Sequence, residues 1–212
     1  MAKEKFNKFS VPLGLLDYGN PILYSVTIII IIRNIYSNMG YPYNIILLLG
    51  ALLSIMFGFV IPTGKVIVGL GLLKFKMPVS LVFCVNTGIL LSGLMLLKNA
   101  LKISPILLLG ILLMILLFSA TLYKKQKKIN TIAVLTGAIG YLFTYMSLII
   151  MSFQKDKILP ILMYGVAIVL FIILCGIGIK ANLKNPKVHW IIEVTNIICQ
   201  LLVTISTIIL WN

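Results

Sequence analysis

Apolar runs of about 20 residues, separated by short polar connections, follow one another along nearly all of this 212-residue chain. A helix rises about 1.5 Å per residue, so each run is long enough to cross roughly 30 Å of hydrocarbon. Seven such runs can be placed, at 20–38, 43–62, 77–97, 104–123, 130–152, 158–180 and 187–211. In lipid every backbone N–H and C=O needs an internal partner, which leaves only helices or closed barrels, and continuously apolar rather than alternating runs select helices. The expected fold is therefore all-α: one polytopic integral membrane domain over residues 1–212, a bundle of about seven transmembrane helices.

Composition agrees. The chain is 61% hydrophobic and only 10% charged, far below the charged fraction of a soluble domain. Its net charge of +14 does not point to nucleic acid, because the basic residues stand singly or in short clusters between apolar runs. They are expected to meet anionic lipid at the cytoplasmic face and to orient the protein. The abundance of Lys over Arg and of Ile suggests an AT-rich bacterial genome, hence a bacterial plasma membrane.

With the N-terminus cytoplasmic, the inner segments hold 13 basic residues and the outer ones 5, namely Arg33, Lys98, Lys102, Lys155 and Lys157. That bias predicts N-terminus in and C-terminus out. Lys3, Lys5 and Lys8 precede apolar sequence as in a signal peptide, but no small-residue cleavage site follows, so the segment is expected to stay as an anchor. Prolines mark the same segmentation. Asn20-Pro21, Ser104-Pro105 and Asn185-Pro186 read as helix caps followed by first helical residues, and Pro62 falls where the second span should end.

Two stretches do not read as simple spans. Val11 to Tyr18, broken by Gly14 and Asp17, is expected as an interfacial half-helix or an extra turn of the first helix. Gly64 to Lys76 carries Lys65, Lys74 and Lys76 and is too short to cross; it is expected to lie in the inner interface with its lysines snorkelling to the headgroups. Gly50, Ser54 and Gly58 on the second run, and Gly88 and Ser92 on the third, form small-residue seams for close helix approach.

One feature goes beyond packing. His189, Glu193, Asn196, Gln200, Thr204 and Thr207 on the last run are spaced by four, three, four, four and three residues, which puts all six in one stripe about 80° wide. Facing hydrocarbon would be costly, so the stripe is expected to face protein, water or a ligand. Glu193 alone among the four acidic residues lies well inside a run, and its expected local partners are His189 and Asn196. Asp17 and Asn20 lie at the inner end of the first helix and would meet His189 and Glu193 if the first and last helices pack together. Tyr141 and Tyr145 on the fifth run, and Asn86 with Thr87 on the third, are candidates for further walls of a polar cavity.

Catalysis finds little support. One histidine cannot build a three-His zinc site, and one deep carboxylate cannot form a paired acid site. Cys84, Cys175 and Cys199 show neither zinc spacing nor a disulfide framework, so no catalytic residue, metal or cofactor is assigned. The leading expectation is a small transporter, permease subunit or channel that handles a small solute or a proton through an intramembrane site opening to the cytoplasm. The alternatives are a non-catalytic membrane partner subunit, immunity protein or receptor-like scaffold, and a membrane-embedded lipid-modifying enzyme.

Overall fold

A computed structural model describes residues 11–72, 79–108, 110–111, 113–115, 129–180 and 186–212. All regular elements among the described residues are helical: α1 (Val11–Asp17), α2 (Gly19–Ile35) with a 3-10 turn at Tyr36–Asn38, α3 (Tyr43–Gly69), α4 (Val79–Leu101), α5 (Pro105–Ile115), α6 (Ile129–Gln154), α7 (Ile158–Lys180) and α8 (Pro186–Trp211). Six of the helical stretches are long and apolar enough to cross a membrane: Val11–Asn38, Tyr43–Gly69, Ser80–Leu101, Val134–Gln154, Ile158–Ile177 and Lys187–Trp211. The run expected at 104–123 falls partly outside the described residues. Its opening follows the cap expected from Ser104-Pro105, with the Leu107 N–H donating to Ser104 Oγ at 3.3 Å.

At the end of the bundle where α1 and α8 begin, Val11 to Asp17 takes the expected form of extra turns on the first helix, and two other features depart from the sequence reading. The extra turns continue into α2 through Tyr18, whose backbone is itself helical. The joint has a local cause: Pro21 has no N–H to offer the Asp17 carbonyl four residues earlier. Because helix precedes it, Asn20 is not a cap, and its side chain is released for contacts across the bundle. The second departure is larger. The second span does not end at Pro62, since α3 runs through this buried proline to Gly69. A proline ring inside a helix presses on the carbonyl of the residue four positions back; here that residue is Gly58, where even an added Cβ would meet only Pro21 Cβ at 3.5 Å, so the turn has room to give. Lys65 is therefore part of a helix and turns into the bundle, not out to the headgroups; Lys74 and Lys76 lie outside the described residues.

The helices close into a ring. Helix α3 packs on α4, α4 on α6, α6 on α7, α7 on α8, and α8 returns to α2, while α1 lies against α3 and α8. The tightest seam is built from small residues. A Cβ on Gly88 would lie 2.6 Å from Gly50 O and 2.7 Å from Ser54 N, and one on Gly140 would lie 2.6 Å from Leu90 N, so backbone meets backbone on both faces of α4. Two pairs run parallel. Asn86 lies against Gly137 while Gln154 Nε2 donates to Ala100 O at 3.0 Å, so α4 and α6 share a direction. Asn20 meets Glu193 and Thr27 meets Thr204, so α2 and α8 do as well.

An aromatic cluster fills the middle of the ring. Tyr141 stands edge-on to Tyr24 at 6.4 Å between centroids and packs on Tyr145 at 5.9 Å and Phe171 at 5.5 Å. Ser54 Oγ meets the Tyr24 hydroxyl at 3.1 Å, and the Tyr164 hydroxyl meets Thr207 Oγ1 at 3.0 Å, so phenol groups that enter the apolar core find polar company there. At the end away from Lys65, Lys98 sits 3.8 Å from the Tyr43 ring centroid and Lys155 sits 5.4 Å from that of Trp211. Aromatic rings beside ammonium groups are the usual furniture of a membrane boundary.

Candidate functional site

Where α1, α2, α3 and α8 converge, four polar side chains form a closed ring inside otherwise apolar packing. Lys65 Nζ lies 2.7 Å from Asp17 Oδ2 and 2.8 Å from Glu193 Oε1. On the opposite side, Asn20 Nδ2 donates to Asp17 Oδ1 and to Glu193 Oε2, each at 3.2 Å. Each carboxyl thus lies between the same two nitrogens. The side chains of Lys65, Asp17 and Glu193 are only 13%, 10% and 11% exposed, so the ring is removed from bulk water without being sealed from it.

Neighbouring residues explain why these groups can approach. Gly14 lets α1 press on α3, because a Cβ there would fall 2.8 Å from Val66 Cγ2 and 3.0 Å from Val66 N. Gly19 does the same for α8, with Ile197 Cδ1 3.1 Å from its notional Cβ. The Tyr18 hydroxyl is 2.6 Å from Thr63 Oγ1, tying the α1–α2 joint to the turn that carries Lys65. Further along, Thr27 Oγ1 and Thr204 Oγ1 are 2.9 Å apart, and Thr204 Oγ1 also reaches Leu23 O at 3.3 Å, which fixes the register of α2 on α8.

One acceptor in the ring is not satisfied. Asn20 Oδ1 is buried with no hydrogen-bond partner among the described residues. Asp17 Oδ2, by contrast, is held by the Lys65 ammonium at 2.7 Å. Buried polar atoms in folded proteins nearly always find a donor, so the site is short of one.

The candidate residues divide among three places. Asp17, Asn20 and Glu193 come together in the ring. His189, one turn earlier on α8, is half-buried, and the groups that reach the Glu193 carboxylate are Lys65 and Asn20 rather than His189 or Asn196, which is also half-buried. Gln200 is buried about 10 Å further along α8 and sits by Tyr141 in the central aromatic cluster, beside Tyr145, whose hydroxyl is 3.8 Å from Cys199 Sγ. Asn86 belongs to the seam between α4 and α6, where it faces Gly137. With Thr204 and Thr207 buried as well, the stripe on α8 faces protein from Glu193 onward.

Lys65 is the residue that sequence reasoning missed. Its signal was present but faint: Thr63 to Gly69 is as apolar as a helix end, and a deep carboxylate calls for a base within the same membrane depth. Tyr24 was missed as well, as it lies in an isoleucine-rich run with nothing to distinguish its face. No protein-family model, curated protein or solved structure matches the chain.

Proposed function

We propose that this is a small transporter or permease subunit of seven spans, N-terminus in the cytoplasm of a bacterium, working through the ring of Asp17, Asn20, Lys65 and Glu193 at its cytoplasmic end. The observation that carries the reading is the ring itself. Interhelical glue in membranes is made of neutral hydrogen bonds worth about 0.6 kcal/mol each, and apolar packing would hold α1 and α8 in place as well. Two carboxyls and an ammonium with 10–13% exposure are costly to desolvate, and charged groups at such depth ordinarily mark ion or substrate pathways.

Seven spans are favoured by the parallel course of α4 and α6. A chain that leaves α4 at the end where α6 finishes has to traverse the bundle once between Leu101 and Ile129. The 13 to 5 distribution of basic residues then favours the ring end as the cytoplasmic one.

Purified protein in liposomes loaded with the pH dye pyranine, with potassium and valinomycin to clamp the voltage, tests the reading. A pH step is applied with and without a panel of small cationic, neutral and anionic solutes. Wild type is expected to move protons, alone or with one of the solutes, and Glu193→Gln to be slower by on the order of tenfold or more. Wild-type flux equal to that of empty liposomes, or a Glu193→Gln flux equal to wild type, overturns the reading.

A further inference from the structure

We propose that the ring holds one exchangeable proton between the carboxyls of Asp17 and Glu193, so that the ion it binds is H⁺ and not a metal cation. The inference deepens the transport reading and rests on the ring being the working site.

Charge comes first. Asp17 and Glu193 bring two negative charges, Lys65 brings one positive charge, and Asn20 brings none. Fully ionised, the ring would carry a net negative charge inside a nearly dry site at the end of a membrane bundle, which is costly. One added proton makes it neutral. Among the described residues, the ion pairs and side-chain hydrogen bonds of the two carboxyls run to Lys65 and Asn20. Tyr18 is engaged with Thr63, while His189 and Lys187 lie one turn and nearly two turns nearer the start of α8.

Hydrogen bonding points the same way. Asn20 spends its amide N–H groups on Asp17 Oδ1 and Glu193 Oε2, and its own Oδ1 is left buried without a donor among the described residues. A proton on one of the two carboxyls turns an acceptor into an O–H donor in the place where a donor is lacking. A sodium or other metal ion would need several oxygens around it. The position between the two carboxyls is already held by the Lys65 ammonium, which would repel a second cation. The proton comes from water at the nearby bundle end, where each ionic side chain keeps some exposure, and it returns there when the ring opens.

Charge neutrality makes a numerical prediction: bound protons equal carboxyls minus ammonium groups. Infrared spectra of the protein in lipid nanodiscs at neutral pH report protonated carboxyls through their carbonyl stretch, which shifts in heavy water. Glu4 and Asp156 are common to all proteins compared and cancel in difference spectra. Wild type is expected to show one protonated carboxyl in the ring, Asp17→Asn and Glu193→Gln none, and Lys65→Gln two. The wild-type signal is expected to be indifferent to sodium. Overturning results are a wild type with no ring carboxyl protonated, a signal that sodium removes, or a signal that survives in both Asp17→Asn and Glu193→Gln. Should Lys65→Gln fail to fold, the two carboxyl variants still decide. Because this is an equilibrium count, one ring proton with no flux in liposomes would remove the transport reading and leave this one standing, while sodium-coupled flux with no ring proton would do the reverse.

Discussion

Lys65→Met is expected to lower the unfolding free energy by about 3–5 kcal/mol at neutral pH, read as a collapse of the midpoint in denaturant titrations in mild detergent. Methionine keeps the apolar length of the side chain, so the loss isolates the ammonium. Without it, Asp17 and Glu193 face each other across Asn20 with no positive charge in the ring, and α1 loses its main polar attachment to α3 and α8. Acidification should recover much of the loss, since the two protons that the folded variant must bind to keep the ring neutral cost less free energy as the pH falls. A variant as stable as wild type at neutral pH would show that Lys65 snorkels away from the ring.

The second large effect is expected far from the site. In Gly140→Leu the new Cβ would fall 2.6 Å from Leu90 N, 2.7 Å from Leu90 Cα and 2.8 Å from Ile89 C, all backbone atoms that cannot rotate aside. Helix α6 would have to withdraw from α4, and on the other side of the contact Gly93 packs directly on Gly140 O. The expected cost is about 3 kcal/mol or more, at the upper end of overpacking penalties. Gly165→Leu on α7 is the matched control, because nothing lies within 4 Å of its notional Cβ, and it should stay within about 0.5 kcal/mol of wild type. Equal losses in the two variants would mean that helix propensity, not close approach, governs both positions.

Hydropathy and helical period read much of this architecture because they report on single elements. The run 158–180 coincides with α7, and the spacing from His189 to Thr207 marks the polar side of α8 without any knowledge of its neighbours. What those signals cannot carry is pairing. Pro62 looked like a terminus because the relief offered by Gly58 one turn back is visible only once the helix is built. With α3 cut short there, Lys65 joined the interfacial lysines, and Glu193 was given its sequence neighbours His189 and Asn196 as partners instead of a lysine 128 residues away. Asp17 and Asn20 were legible as a conditional: they sit at the matching end of the first helix, and the contact of α2 with α8 makes the pairing real. Asn86, Tyr141 and Tyr145 were grouped with them on polarity alone, whereas the structure distributes them over the α4–α6 seam and the central aromatic cluster.

The site is held by a direct electrostatic contact between Lys65 and Glu193 inside the bundle. A double-mutant cycle of Lys65→Met and Glu193→Gln, followed by unfolding midpoint and slope, measures that contact. The double variant is expected to be more stable than Lys65→Met alone, with a coupling energy of about 1.5 kcal/mol or more, because Lys65 supports Glu193 directly and its loss costs less once that carboxyl is gone. Additivity of the two single effects to within about 0.5 kcal/mol would contradict the ring, and with it the site.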